Sequence, residues 1–121
     1  MSSAATLPAP GTWTDICALA QIAPNTGVCA LVGDEQVAVF RVWTASGEQL
    51  YALGNWDPIG QAMVLSRGLI GDKAGIPFIA SPLYKQRFDL RTGACLDDPA
   101  VSVPVYAVRE HRGRVEVGGV G

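Results

Sequence analysis

Apolar positions along this chain come in short runs separated by glycine, proline and small polar residues. No window sustains a 3.6-residue apolar period between capping residues, so strands rather than helices are expected. Val28-Cys29-Ala30-Leu31-Val32 and Gln36-Val37-Ala38-Val39-Phe40-Arg41-Val42 are rich in β-branched residues and flank Gly33-Asp34-Glu35, which predicts a hairpin. Further strands are expected from Thr12 to Cys17, Gln49 to Leu53, Ile76 to Ala80 and Gln86 to Leu90. A last hairpin should join Val105 to Glu110 with Arg114 to Val117 around Arg112-Gly113. Asn55 to Gly75 stands apart as a long irregular stretch, of the kind that is usually functional or covered in a compact domain. Strand-like runs at short intervals with turn chemistry between them predict an all-β sandwich or barrel.

A length of 121 residues suits one domain, expected over 12–117 between a Ser/Ala/Pro-containing lead-in at 1–11 and a frayed glycine-rich tail at 118–121. Apolar residues make up 49% and charged residues 17%, which excludes disorder over the whole length. The net charge of −2 gives no electrostatic footprint for nucleic acid. A surface so poor in charge also favours partial coverage by a partner. The uncharged stretch from Ile16 to Gly33 is interrupted by Gln21 and the turn Pro24-Asn25-Thr26-Gly27, so no membrane span is expected. Met1 to Pro10 has neither basic residues nor a sustained apolar run, unlike a secretory signal. Cys17, Cys29 and Cys95 form an odd set without C-x-x-C spacing, which suits a reduced, cytoplasmic setting.

Catalytic chemistry is sparse. The single histidine, His111, lies in a charged turn, and Asp97-Asp98-Pro99 reads as a solvated turn. Asp57 and Asp72 have no second acid or base placed to cooperate with them. Gly71-Asp72-Lys73-Ala74-Gly75 lacks the ending of a phosphate-binding loop. On its own residues this chain has no self-contained active site.

Two proline-bearing loops carry the one constellation that stands out, Asn55-Trp56-Asp57-Pro58-Ile59 and Ser81-Pro82-Leu83-Tyr84. The first is followed by Val64-Leu65-Ser66-Arg67-Gly68, and the second leads into Phe88-Asp89-Leu90-Arg91-Thr92-Gly93. This arrangement resembles the two cluster-binding loops of a Rieske [2Fe–2S] domain and its surrounding framework. The ligand positions hold Asp57, Ile59, Ser81 and Tyr84 in place of two cysteines and two histidines. A Rieske centre needs two thiolates on one iron and two imidazoles on the other, so the resemblance implies a domain without cluster. With the opening Trp13-Thr14-Asp15-Ile16-Cys17 and the blocks from Thr26 to Arg41 and from Ala80 to Phe88, the pattern narrows further. It resembles the small subunits of assimilatory NADH-dependent nitrite reductases.

That resemblance implies an all-β Rieske-like antiparallel sandwich or barrel with no cofactor or metal of its own. It also implies a cytoplasmic large catalytic subunit carrying FAD, a [4Fe–4S] cluster and sirohaem, which reduces nitrite to ammonium in nitrate assimilation. This chain would then be a non-catalytic accessory subunit that stabilises or completes its partner. Two other readings stay open: an electron carrier with residual metal at Asp57, the cysteines or His111, and a free-standing β-barrel binding module. In a domain without cluster the two loops are expected to be held by packing, with Tyr84 against Ile59 near Trp56 or Pro82. The docking face is expected at the loop tips. There Trp56, Pro58, Ile59, Met63 and Leu83 offer apolar contact and Arg67, Lys85 and Arg87 a charged rim.

Overall fold

The computed structural model describes residues 12–120, with side chains to residue 118; the expected lead-in at 1–11 lies outside the described residues. Its largest sheet is antiparallel, in the spatial order β1-β11-β10-β4-β3-β2. The strands are β1 (Thr14–Ala18), β2 (Thr26–Val32), β3 (Glu35–Thr44), β4 (Gly47–Gly54), β10 (Val105–His111) and β11 (Arg114–Val120). Both expected hairpins are present, with Val32 opposite Glu35 and His111 opposite Arg114. The run from Gln49 to Leu53 is longer than expected, since Gly47 and Glu48 also pair with β3.

A second sheet contains β7 (Leu69–Lys73), β8 (Ile76–Ala80) and β9 (Arg87–Asp89), and a small ladder joins β5 (Trp56–Asp57) to β6 (Ala62–Met63). The stretch from Asn55 to Gly75 is therefore more ordered than its composition suggests. Leu69 to Lys73 alternates poorly, yet it pairs along its length with β8 through a turn at Ala74 and Gly75, both at positive φ. Likewise residues 118–120, expected to fray, continue β11 and place Val120 opposite Tyr106.

β3 explains how the layers hold together. Val37, Ala38, Val39 and Phe40 are all fully buried, because the strand has a core on each face. Val37 and Val39 face Ile22, Val32, Ala52, Tyr106, Val115 and Val117 inside the large sheet. Ala38, Phe40 and Val42 face Leu53, Leu65, Ile79, Phe88 and Leu90, which join the large sheet to the small one. Two-residue periodicity sends alternate side chains to opposite faces, so an unbroken apolar run is what a doubly covered strand requires.

The motifs surrounding the loops are parts of this packing. Leu65 and Phe88 are core residues. Gly68 lies against the Ala80 carbonyl and Ile79, where an added Cβ would overlap the backbone. Asp89 accepts from the Arg91 N–H at 2.8 Å and its carbonyl accepts from Gly93 at the same distance, while Gly93 sits at φ +80. Together they tie the second loop's strand to the first loop's short helical turn at Leu65–Arg67.

Candidate functional site at the paired loops

The two loops are built alike. In the first, the Asp57 carbonyl accepts from the Gln61 N–H at 2.7 Å; in the second, the Ser81 carbonyl accepts from the Lys85 N–H at 3.0 Å. Gln61 and Lys85, the closing residues, both adopt positive φ. The leading side chains also match. The Asp57 carboxylate accepts from the N–H groups of Ile59 and Gly60 at 2.9 and 3.0 Å, and Ser81 Oγ accepts from the Leu83 N–H at 3.3 Å. Asp and Ser suit these places because their short oxygens satisfy backbone donors two residues on.

Asp57 and Ser81 meet between the loops. The Ser81 hydroxyl donates to Asp57 Oδ2 at 2.5 Å, and both side chains are buried, at 0% and 1% exposure. Gln86 closes the network by donating Nε2 to both carboxylate oxygens at 2.8 Å. A carboxylate needs donors, so the amide must turn its nitrogen inward, and its Oε1 is left buried without a hydrogen-bond partner. Burial pushes the Asp57 carboxyl up, but the bonds from Ser81, Gly60, Ile59 and Gln86 outweigh it and hold the group below its ordinary value. The carboxylate is ionised and saturated with donors.

The outer positions differ. Ile59 is 37% exposed and Tyr84 71% exposed. Neither is buried between the loops as the expected Tyr84–Ile59 packing requires, and the Asp57–Ser81–Gln86 hydrogen bonds hold the loops together there. Leu83 makes the close apolar contact instead, lying so near Gly60 that an added Cβ would fall 2.5 Å from Leu83 Cδ1.

A [2Fe–2S] cluster does not fit these residues. Ile59 has no donor atom, Tyr84 points a phenol where an imidazole is required, and the Asp57 oxygens are already committed to five hydrogen bonds. Cys17, Cys29 and Cys95 lie elsewhere, and no group of three metal-ligating side chains occurs among the described residues.

Trp56, Ile59, Met63, Leu83 and Tyr84 are exposed on this end, with Pro58 half-buried between them. Arg67 and Lys85 are exposed, and neither has an acidic partner within 4 Å among the described residues. Arg87 departs from the expected rim. Its guanidinium donates to Asp97 at 2.6 and 3.2 Å and lies 5.6 Å from the Phe78 ring centre. The pair holds Asp97 down to about 2, so Arg87 serves the second sheet. Two buried residues had no sequence signal for their roles. Gln86 sits in what reads as strand, and Asn55 anchors the first loop by donating to Gln36 Oε1 at 3.2 Å and accepting from the Ser66 N–H at 2.8 Å.

Comparison with known proteins finds relatives of the same fold. Residues 12–118 match the family model of the Rieske-like [2Fe-2S] domain. The chain is similar to the nitrite reductase (NADH) small subunit of Escherichia coli strain K12, 49% identical over 107 residues that span 88% of this chain and 97% of the relative. The NMR structure of the E. coli protein NirD superposes with a TM-score of 0.80 at 47% identity, covering 91% of this chain and 96% of that one. A nitrite reductase [NAD(P)H] large subunit from Klebsiella oxytoca is 44% identical over 106 residues, which span 88% of this chain but 11% of that protein.

Proposed function

Because the chain belongs to the nitrite reductase small subunits of the Rieske-like family, we propose that it is a non-catalytic accessory subunit of an NAD(P)H-dependent nitrite reductase. In this reading it carries no cluster and docks through the paired loops onto the large catalytic subunit. The observation that carries the proposal is the Asp57–Ser81–Gln86 network, which uses the inner ligand positions to join the loops and leaves no donor set for iron. The large subunit is the partner because the Klebsiella oxytoca relative of that name contains a domain similar to this one.

The mechanism is division of labour. Electron transfer from NAD(P)H and the reduction of nitrite to ammonium take place on the large subunit, which would supply FAD, a [4Fe–4S] cluster and sirohaem. This chain presents Trp56, Ile59, Met63, Leu83 and Tyr84 as the apolar centre of an interface, with Arg67 and Lys85 beside it. Its hydrogen-bonded loops are pre-organised, which limits the ordering cost of association. The working compartment is the cytoplasm, in keeping with three unpaired cysteines; no helix among the described residues is long and apolar enough to cross a membrane.

Co-expression with the large subunit tests the proposal. The two chains should purify together, and removal of this chain should lower nitrite-dependent NADH oxidation. The isolated chain, made in iron-rich medium, should be colourless and hold sub-stoichiometric iron. A Rieske-type visible spectrum with iron at full occupancy would overturn the cluster-free assignment.

A further inference from the structure

Beside the first loop runs a groove of about 330 Å3 that is separate from the vacated cluster positions. Trp56 and Met63, cross-strand partners on β5 and β6, line it together with Val103, Pro104, Glu35 and Tyr106. Its walls are fixed by backbone bonds. Gly54 donates to the Pro104 carbonyl and Val103 to the Gly93 carbonyl, both at 2.9 Å, and Asn55 donates to the Gln36 carbonyl at 3.0 Å. Gly54 also lets Pro104 approach closely, since an added Cβ would lie 3.0 Å from its Cγ.

Two polar groups in this apolar setting lack counterparts. Glu35, half-buried in the wall of the groove, has no cation within 4 Å among the described residues. Tyr106 is only 4% exposed and lines the groove, and its hydroxyl makes no hydrogen bond with another described residue. Burial and the nearby Glu35 charge push its phenol up, so it stays neutral with an oxygen able to accept. A half-buried carboxylate with no cation beside it gains from a partner that supplies donors, and the Tyr106 oxygen next to it can accept from the same group.

We propose that the groove receives a basic side chain, lysine or arginine, from the large subunit. Its aliphatic stem lies against Trp56 and Pro104, and its head donates to the Glu35 carboxylate and the Tyr106 hydroxyl oxygen. This rests on the proposed function and deepens it. Long basic side chains bury their stems on apolar surface and keep their charge for a carboxylate, which is the combination this groove offers. The large subunit is the occupant because the Klebsiella oxytoca large subunit holds a similar domain within its own chain. Arg67 and Lys85, unpaired at the loop end, call for acids, while Glu35 calls for a base, so the two features together set one docking orientation.

The test is the dissociation constant between this chain and its large subunit at low and moderate salt, with melting temperature and sedimentation as controls. Glu35→Lys should weaken binding about tenfold or more, Glu35→Gln by a few-fold, and Ser102→Trp, which fills the groove from its lip, by about as much as Glu35→Lys. All three should melt near the parent chain. If the parent binds but Glu35→Lys and Ser102→Trp both bind within twofold of it, the groove assignment falls and the partner assignment stands. If the parent itself does not bind the large subunit, both fall. A dimer of this chain that Glu35→Lys dissolves would assign the groove to a second copy and overturn the proposal.

Discussion

The inner and outer ligand positions of the two loops have met opposite fates. Asp57 and Ser81, where the resemblance puts the cysteines, are buried and bonded to each other; Ile59 and Tyr84, where it puts the histidines, are part-exposed and exposed. The same pair of loops thus contains a site where any side chain must satisfy its neighbours and a site where few constraints apply. Backbone N–H groups of Ile59, Gly60 and Leu83 point at the inner positions whatever the side chain there, so an acceptor is required. Nothing comparable points at the outer positions. Without a cluster, then, the inner pair is available for structure and the outer pair for surface.

The strongest way to break this contrast is Asp57→Ala. It would leave the Ser81 hydroxyl, the Gln86 amide and two backbone N–H groups without their acceptor in a buried place. A loss of about 3 kcal/mol or more is expected from denaturant unfolding. Asp57→Asn separates charge from shape through pH. The folded Asp57 carboxyl lies below its unfolded value of about 3.9, so its stabilisation is complete above that value and disappears as pH falls through the folded pKa. Asp89, and Asp97 at about 2, act in the same sense and remain in the variant. The parent should therefore lose more stability than Asp57→Asn on acidification below about pH 4. Equal losses would show that Asp57 is not the ionised anchor.

Ser81→Ala is a milder cut. It removes one donor to Asp57 and one acceptor for Leu83, while Gln86 still serves the carboxylate. A loss of about 1–2 kcal/mol is expected by thermal or denaturant unfolding. A loss as large as that of Asp57→Ala would mean that the two loops are held by Ser81 rather than by the carboxylate.

How far these roles are legible in the sequence follows from the same physics. Both hairpins are readable because β-branched runs flank turn residues, and the doubly buried β3 is readable as an unbroken apolar run. Leu69 to Lys73 is not, because Gly71 and the charged pair Asp72-Lys73 carry no strand preference and pairing with β8 decides the outcome. The vacated ligand positions are visible in the motif, but their new use is not. The Asp57–Ser81 bond spans 24 positions and depends on loop-to-loop distance, which local pattern does not encode. Gln86 is hidden for the same reason. Arg87 goes to Asp97 because β9 places its backbone N–H 2.7 Å from that carboxylate, a register effect.

The outer pair sharpens the comparison from the other side. Tyr84→Ala removes a largely solvated side chain, so its unfolding free energy should move by about 0.5 kcal/mol or less, and Ile59→Ser, at a partly covered position, by about 1 kcal/mol. Affinity for the large subunit should fall for both, with Tyr84→Ala the larger effect because aromatic anchors concentrate interface energy. A variant that loses stability but not affinity would place that residue with the inner pair.

The smallest effect belongs to Lys85→Glu. Lys85 closes the second loop through its backbone, donating to the Ser81 carbonyl at 3.0 Å, and its exposed ammonium has no acidic partner among the described residues. Reversing the charge therefore leaves the loop's hydrogen bonds in place, and melting should be unchanged. What should change is encounter. A charge beside an apolar contact steers association, and its influence is screened over about 8 Å at physiological salt. Association with the large subunit should slow several-fold at low ionic strength, converge with the parent as salt rises, and show little change in dissociation rate. Stopped-flow measurement across a salt series checks this. A dissociation rate that rises at all salt concentrations would instead place the ammonium in a desolvated pair at the centre of the interface, and the division between a structural inner site and a lightly constrained outer rim would have to be redrawn to include it.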